Sequence, residues 1–376
     1  MYFLDYRFLA LVPALVIVYW LAGGKLRNWV LLAANIGWLV VFSPSTLVAL
    51  AALAIAIVFP TARIAARVRE RDAKRAMTVA WAGVVALIAV ATVLRLQAWF
   101  MPELTLSHSW LSNELLHWIG FSYFLLKSIH VMFAAARGIT TPSSLVTLLH
   151  YVLFLPTLTA GPIYRLDTFE QQLAEPKRVT SDAIHDGLIR VAIGLAKKVI
   201  AVPILSGWSL ELHSRGIAWQ PPAFVITYVM LFLDFSGYSD VAIGIGKMLG
   251  FTVPENFKNP FTATTLTQFW RNWHATLGDW LRENVFIPMG GMRASGWQLS
   301  AIVLFSMFVV GVWHGYHWIF LAWGIYHGVM LLLENRLGVK PLRPHRTPWW
   351  QLAVRYAIVQ AIAIGGMFAF IRGLQP

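Results

Sequence analysis

The sequence predicts an all-α polytopic membrane protein, and three observations lead to this fold class. Of the 376 residues, 58% are hydrophobic and only 12% are charged, about half the charged fraction of a soluble domain. Apolar runs close to the length of a spanning helix recur along the chain. The basic residues gather in short segments between those runs. We predict a single membrane domain over residues 1–376.

Apolar runs predict about 11 transmembrane helices, with re-entrant or interfacial helices in addition. The runs cover residues 8–22, 28–43, 45–60, 77–95, 115–137, 144–160, 187–207, 221–250, 298–313, 316–335 and 350–372. Asp5 and Arg7 precede the first run, so it is interpreted as a retained helix and not a signal peptide. Some runs are short or polar, which predicts broken or bundle-internal helices. Residues 256–290, rich in tryptophan and charge, predict a partly embedded helix with a re-entrant segment.

The distribution of lysine and arginine predicts the orientation. Lys25 and the basic segment 61–76 are predicted to be cytoplasmic, and segment 96–114, which has no lysine or arginine, to lie outside with the N-terminus. Segment 336–346 predicts another cytoplasmic loop. The net charge of +13 therefore indicates contact with anionic membrane lipids, and we expect no nucleic-acid partner. The absence of cysteine excludes disulfides and a cysteine-bound acyl intermediate.

His314 is the strongest catalytic candidate, in a Trp313-His314-Gly315 triplet between two apolar runs. An ionisable group at membrane depth is costly and usually faces a cavity, and histidine is a suitable base for an attacking hydroxyl. We expect Gly315 to let a substrate approach the backbone. A structural histidine bound to a carbonyl is the alternative. His327, in a related Tyr-His-Gly triplet, is a second candidate, and His317 is interpreted as structural.

A metal or haem site is an alternative for the three histidines at 314, 317 and 327. The first two are three residues apart and could share a helix face. No carboxylate or cysteine completes a familiar ligand set at metal-binding spacing. We therefore expect no metal and no bound cofactor.

Residues 269–283 predict one amphipathic helix. At about 100° per residue, Arg271, His274 and Arg282 share a face, with aromatic residues opposite. The basic face suits an anionic or polar ligand, and the flanking arginines are expected to keep His274 neutral. An interfacial anchoring helix with snorkelling arginines is the alternative.

Carboxylates and hydroxyls interrupt the apolar run 221–250 at Asp234, Tyr238 and Asp240. Such groups need partners inside a membrane. Asp240 and Lys247 are seven residues apart, so a pair on one helix face is predicted. Glycines in the run permit close helix contacts. Structural pairing is favoured over direct chemistry. Upstream, the proline of segment 159–165 (TAGPIYR) predicts the end or break of a helix.

In this order, these segments resemble the membrane-bound O-acyltransferase (MBOAT) family, in the bacterial branch of alginate O-acetylase membrane subunits and D-alanyl-lipoteichoic acid acyltransferases. The matching segments are 161–165 (GPIYR), 234–240 (DFSGYSD), 254–257 (PENF), 269–274 (FWRNWH), 280–283 (WLRE), 313–315 (WHG) and 326–328 (YHG). The resemblance spans about residues 115–335.

The resemblance implies a many-helix bowl with a central funnel that meets His314. It implies His314 as the essential base and His274 as the supporting histidine. Residues expected to bind substrate or support the site are Trp313, Arg271, Arg282, His327, Asp234, Asp240 and Tyr238. The implied reaction moves a short acyl group, acetyl as first choice, from a cytoplasmic-side donor to hydroxyls of an extracytoplasmic envelope polysaccharide.

The resemblance also implies a location and partners. The protein is expected in the cytoplasmic (inner) membrane, with acetyl-CoA or an acyl-carrier thioester as donor substrate. A periplasmic or membrane-anchored acyltransferase- or esterase-like protein and a cytoplasmic acyl carrier are the expected partners, beside the envelope polymer.

Other functions stay open. The chain is shorter than the alginate-type subunits, which leaves D-alanyl transfer to a teichoic-acid-like polymer or carrier as an alternative. From a different class, a transporter or channel for an acyl donor could use buried histidines and broken helices; the inverted repeats that would favour it are not found. A structural anchor for a separate catalytic subunit would be indicated by an inert His314→Ala substitution.

Overall fold

The computed structural model describes residues 6–100, 120–176, 180–315 and 318–373. Within these ranges the regular structure is helical, with no strand, so the all-α prediction is confirmed. Most of the predicted external segment 96–114 and His317 lie outside the described residues.

Helices follow one another along the chain with short connections. They are α1 (Tyr6–Ala22), α2 (Leu26–Phe42), α3 (Pro44–Leu53), α4 (Phe59–Arg69), α5 (Ala73–Phe100), α6 (Phe121–Arg137), α7 (Leu145–Val152), α8 (Leu166–Ala174), α9 (Ser181–Ala196), α10 (Val202–Ser214), α11 (Gln220–Met248), α12 (Leu266–Asn272), α13 (Ala275–Leu281), α14 (Gly296–His314), α15 (Trp318–Arg336) and α16 (Trp349–Gly373). Single π-helical turns at Ala54–Val58 and Lys197–Ala201 join α3 to α4 and α9 to α10, and a third, Arg282–Phe286, follows α13.

The described residues form two compact units. The first unit contains the chain up to Leu195 together with Ser239–Pro254, and the second contains Ala196–Tyr238 and the chain from Glu255 onward. The single domain expected over residues 1–376 stays a prediction.

By length and composition, four helical stretches of the described chain could cross a membrane. They are Pro44–Arg69, Ala73–Val93, Gln220–Met248 and Gly296–His314. Shorter apolar helical stretches occupy Ala10–Ala22 and Leu26–Phe42. The predicted total of about 11 spanning helices is not confirmed by these stretches and stays a prediction.

The apolar run 144–160 does not form one spanning helix. Its helix α7 has eight residues, which rise about 12 Å at about 1.5 Å per residue, far less than the roughly 30 Å hydrocarbon core. A 3-10 turn at Leu155–Thr157 follows, and residues 158–165 contain no helix. The helix break predicted around Pro162 is therefore confirmed.

The basic segment 61–76 is mostly helical and not a loop. Helix α4 continues to Arg69 and α5 begins at Ala73. Between them, the Asp72 carboxylate accepts the backbone N–H groups of Lys74 and Arg75 at 2.8 and 3.0 Å, which stabilises the beginning of α5. The cytoplasmic location of segment 61–76 stays a prediction.

In the first unit, the carboxylate of Asp240 pairs with a different residue than predicted. Arg190 Nε donates to Asp240 Oδ1 at 2.6 Å, while Lys247 Nζ donates to Asp186 Oδ2 at 2.6 Å. The predicted Asp240–Lys247 pair is therefore wrong. Seven residues separate two side chains by about 10.5 Å along a helix, whereas the neighbouring helix α9 brings opposite charges into contact.

Small residues allow α9 and α11 to approach closely within the first unit. A Cβ atom on Gly244 would lie 2.6 Å from the carbonyl oxygen of Gly187, and a Cβ on Gly187 would lie 2.9 Å from that of Gly244. The expectation that glycines of this run permit close helix contacts is confirmed.

In the second unit, α14 and α15 pack against each other in the same way. A Cβ on Gly311 of α14 would lie 2.5 Å from the Phe320 carbonyl oxygen, and one on Gly324 of α15 would overlap the Met307 carbonyl. Because these glycines bring the two backbones together, aromatic side chains of α15 reach the C-terminal end of α14, where His314 lies.

Candidate active site

His274 lies at a break in the helix predicted over residues 269–283. Helix α12 ends at Asn272, and His274 has a φ of 47°, in the left-handed region, before α13 begins at Ala275. The prediction of one helix with a basic face is therefore wrong. The left-handed residue redirects the chain, so the 100° periodicity does not continue across it. As a result His274 is buried, whereas Arg271 and Arg282 are exposed.

A fully buried amide, Asn256, binds the His274 ring. The Oδ1 atom of Asn256 lies 2.9 Å from His274 Nδ1 and accepts the Thr276 hydroxyl, also at 2.9 Å. The backbone carbonyl of Asn256 accepts the Ala275 N–H at 2.8 Å. Since Oδ1 has only lone pairs, His274 Nδ1 carries the proton and Nε2 carries the lone pair. This is the tautomer of a ring that can accept a proton at Nε2.

His274 is held neutral by its surroundings. Burial lowers the pKa of His274, and the neighbouring His314 lowers this pKa further. The predicted neutrality is supported, but the predicted cause, the flanking arginines, is wrong because Arg271 and Arg282 are exposed.

His314 is the last residue of α14, and its ring lies among aromatic rings. Trp313 is at 4.8 Å between centroids, Trp323 at 5.2 Å and Phe320 at 6.3 Å. The expectation that Gly315 leaves space for a substrate is wrong. A Cβ at this position would lie 2.6 Å from the Phe320 ring, which occupies the space. The glycine admits Phe320, which stacks on His314 with an angle of 26° between the planes.

Trp313 connects the two candidate catalytic histidines. Its ring lies 4.8 Å from His314 and 6.1 Å from His274 between centroids. On the other side of His274, the Phe235 ring packs edge to face at 4.7 Å. We call Trp313, His274, Asn256 and Phe235 the His274 flank of His314.

A second aromatic group lies on another side of His314. The Trp323 indole contacts His314, His327 at 5.1 Å and Trp270 at 5.6 Å, all with steeply inclined planes. Trp270 and His327 contact each other at 4.8 Å. We call Trp323, Trp270 and His327 the Trp323 flank. The indole of Trp323 thus contacts both His314 and His327, which was predicted as a supporting residue.

The polar residues of α11 have separate surroundings. In the second unit, Asp234 binds the buried Lys198 at 2.5 Å, next to the Phe235 that packs on His274. Tyr238 is buried on the same helix, and Asp240 belongs to the first unit, where it binds Arg190. The structure therefore pairs both carboxylates, as the favoured interpretation requires, and it is Phe235, the neighbour of Asp234, that contacts His274.

Sequence analysis missed Asn256, Phe235, Trp270 and Trp323 as site residues. Asn256 is 18 residues from His274, and no local spacing predicts that a helix break will bring the two together. Trp270 and Trp323 lie beside or within segments that were singled out, but tryptophans are common in this chain and carry no individual signal. Among the described residues, no three His, Cys, Asp or Glu side chains gather as metal ligands would.

Comparison with known proteins gives consistent matches. Residues 72–362 match the model of MBOAT, the membrane-bound O-acyltransferase family. The chain is 36% identical over 238 residues to the probable alginate O-acetylase AlgI of Azotobacter vinelandii, covering 61% of this chain and 47% of that protein.

Two further relatives extend these matches. The protein of the same name from Pseudomonas aeruginosa is 32% identical over 347 residues, covering 87% of this chain and 64% of the relative. The teichoic acid D-alanyltransferase of Bacillus subtilis is 31% identical over 239 residues, covering 59% of this chain and 60% of the relative. The matches to the two alginate-type relatives thus span half to two thirds of their length.

Proposed function

This chain belongs to the membrane-bound O-acyltransferase family, and we propose that it transfers a short acyl group, acetyl as first choice, to hydroxyls of an extracytoplasmic cell-envelope polysaccharide. The observation that carries the proposal is the position of His314, joined to the Asn256-bound His274 through Trp313. The alginate O-acetylases among the relatives support the acetyl group and a polysaccharide acceptor.

In the proposed reaction, His314 acts as the base. The oxygen of an acceptor hydroxyl attacks the acyl carbon of a thioester, and its proton moves to the imidazole of His314. A tetrahedral intermediate forms, the carbon–sulfur bond breaks, and the proton passes to the leaving thiolate. The new ester bond joins the acyl group to the polymer. Aromatic rings pack around His314, and with the substrates bound they would limit the access of water, which hydrolyses the thioester.

His274 is proposed to support this step from the other side of Trp313. Its Nε2 lone pair, set by the hydrogen bond from Nδ1 to Asn256, suits an acceptor for a hydroxyl proton or a hydrogen bond from the acceptor substrate. Asp234 is proposed to act indirectly, since its pair with Lys198 fixes the part of α11 that carries Phe235.

The remaining parts of the proposal concern substrates, partners and location. The donor is acetyl-CoA or an acyl-carrier thioester on the cytoplasmic side of the inner membrane, and no bound cofactor is required. An acyltransferase- or esterase-like protein, periplasmic or membrane-anchored, would complete delivery to the polymer.

The test measures alkali-labile acetate on the envelope polymer of a deletion strain that carries either the wild-type gene or the His314→Ala variant. We expect the acetate released per copy of protein to fall by about 10²-fold or more, because a catalytic base typically contributes about 10²–10⁴-fold. The matched control is His185→Ala, since the His185 side chain is 72% exposed on α9. Unchanged acetate in the His314→Ala strain would sink the proposal.

The second candidate is transfer of D-alanine to a teichoic-acid-like polymer or carrier, which the similarity to the Bacillus subtilis D-alanyltransferase favours. The same alkaline treatment distinguishes the two. Release of D-alanine that depends on His314, with acetate unaffected, would replace acetyl transfer by this function. It would also require a carrier protein as the cytoplasmic donor.

A further inference from the structure

Two buried ring nitrogens, in side chains that pack on Trp323, lack a hydrogen-bond partner within the part of the chain that the structure describes. They are Trp270 Nε1 and His327 Nδ1. His327 is only 1% exposed. A buried polar group without a partner costs about 1–3 kcal/mol, so two of them in adjacent rings need an explanation, and a bound ligand that accepts from both would supply one.

The two rings are held in place from several directions. Trp270 and His327 pack edge to face at 4.8 Å between centroids, and both contact Trp323. A Cβ on Gly366 of α16 would overlap the His327 ring, so this helix also closes against it. The rings therefore have little freedom to turn their nitrogens elsewhere.

A carboxylate joins the helices that carry these rings. Glu334, near the end of α15, accepts the backbone N–H groups of Leu266 and Thr267, the second at 2.9 Å, at the beginning of α12. The Thr267 hydroxyl also donates to Glu334, at 2.6 Å. Helix α12 carries Trp270, and α15 carries Trp323 and His327, so this cap sets the position of one ring relative to the other two.

The chemistry of the pair restricts its ligand. An indole N–H can only donate, so the group that it binds must be an acceptor. The ring of His327 donates from Nδ1 in one of its neutral tautomers. With that tautomer, the two nitrogens form a pair of donors without charge, which suits an oxygen that gains negative charge during a reaction.

We infer that Trp270 Nε1–H and His327 Nδ1–H bind the carbonyl oxygen of the acyl donor and stabilise the oxyanion formed on it. This inference rests on the proposed acyl transfer. When the acceptor oxygen attacks the acyl carbon, the electron pair of the carbonyl bond moves onto the carbonyl oxygen, and the two N–H groups donate to it. The pair returns when the carbon–sulfur bond breaks, and the thiolate leaves with the proton that His314 received.

The position of the pair relative to His314 suits this role. The Trp323 ring contacts the ring of His314 and the rings of both donors, Trp270 and His327. The distances between ring centroids are 5.1 to 5.6 Å. In the inferred complex the thioester lies along Trp323, with its acyl carbon toward His314 and its oxygen toward the Trp270–His327 pair. The His274 flank is left for the acceptor hydroxyl.

The experiment measures the initial rate at which alkali-labile acyl esters, acetate or D-alanine, appear on the envelope polymer per copy of full-length protein. The variants are Trp270→Phe, which keeps an aromatic ring and removes the N–H, and the pair His327→Phe and His327→Asn. An asparagine amide nitrogen lies near the position of histidine Nδ1 and donates. Matched controls are Trp297→Phe and His345→Phe, both at exposed positions.

We expect Trp270→Phe and His327→Phe each to lower the rate by about 10²–10³-fold, the usual loss for one oxyanion donor. His327→Asn should recover at least tenfold over His327→Phe, and both controls should stay near the wild-type rate. A purely structural His327 would give the opposite order, because phenylalanine preserves the ring and asparagine does not. Equal rates for His327→Phe and His327→Asn, or a wild-type rate in Trp270→Phe, would overturn the inference.

Thermal unfolding of each detergent-extracted variant shows whether it folds. If Trp270→Phe does not fold, the comparison of His327→Phe with His327→Asn alone tests the inference. The outcome is separable from that of the proposed function. A normal rate in His314→Ala removes the acyl transfer itself, whereas a loss in His314→Ala with normal rates in Trp270→Phe and His327→Phe removes only the oxyanion site.

Discussion

The two flanks of His314 are held in different ways. On the His274 flank, the histidine nitrogen has a defined partner, since Asn256 fixes its tautomer and in turn receives Thr276. On the Trp323 flank, His327 is held by ring packing and by Gly366, while its Nδ1 has no partner among the described residues. The hydrogen bond of His274 matches its proposed role in proton exchange, and the unpartnered nitrogen of His327 matches its proposed role in binding the donor.

Among changes that leave the rings of both flanks in place, the largest effect is expected from Asn256→Ala. Without the amide, the tautomer and orientation of His274 are no longer fixed, and we expect the rate of ester formation to fall by about 10²-fold, within the usual range for general acid–base catalysis. The rate per copy of protein measures this. Thr159→Ala in a non-helical stretch serves as the control. A loss below threefold would show that the His274 flank does not depend on its hydrogen bond.

The next effect is expected from Gly366→Ala on the opposite flank. The new methyl group overlaps the His327 ring, and overpacking of this kind costs about 1–3 kcal/mol. We expect a lower thermal midpoint together with a rate reduced by about tenfold, as His327 is displaced. Gly207→Ala is the matched control, because a Cβ there meets nothing within 4 Å. Equal midpoints for the two variants would contradict ring packing as the support of His327.

The pH dependence of the rate tests whether His274 titrates during the reaction. Burial lowers the pKa of His274, so its neutral form prevails above that lowered value. Asn256→Asp places a carboxylate beside the ring and should raise the pKa of His274. Protonation then begins at higher pH, and the acid limb of the rate profile moves upward. Asn256→Ala adds no charge and should not move it. An unchanged acid limb in Asn256→Asp would show that His274 does not titrate in the reaction.

The smallest effect is expected from Thr276→Val. This change removes one hydrogen bond onto Asn256 and leaves the bond to His274. A typical hydrogen bond contributes about 1 kcal/mol, which corresponds to a rate loss of about fivefold. The measurement is the same initial rate, with thermal unfolding as a check. A loss as large as that of Asn256→Ala would mean that Thr276, and not the amide, sets the orientation of the ring.

Part of the site could be predicted from the sequence. A histidine between two apolar runs is conspicuous because charge is rare in such segments, which is how His314 and His327 were found. His274 was found by its arginine and tryptophan neighbours. These are properties of composition and short spacing, and all three histidines lie within residues 72–362, which match the family.

Periodicity failed where a single residue departed from helical geometry. Over residues 269–283 the spacing predicted one helix, but the left-handed His274 divides it and separates the buried histidine from the exposed Arg271 and Arg282. Similarly, spacing predicted Asp240 with Lys247, whereas Arg190 and Asp186 on α9 are their partners. In both cases a contact between distant segments outweighed a pattern within one helix.

The helical, apolar character of this protein and the histidines most worth mutating follow from the amino-acid sequence, because burial of ionisable groups in lipid is costly wherever they occur. The contacts of each histidine follow from the packing of the helices and could not be read from the sequence. Asn256 contacts His274 from 18 residues away, Phe320 fills the space beside Gly315, and the Trp270–His327 pair forms between α12 and α15. Such contacts depend on how helices pack, and packing is set by shape and charge over many residues at once.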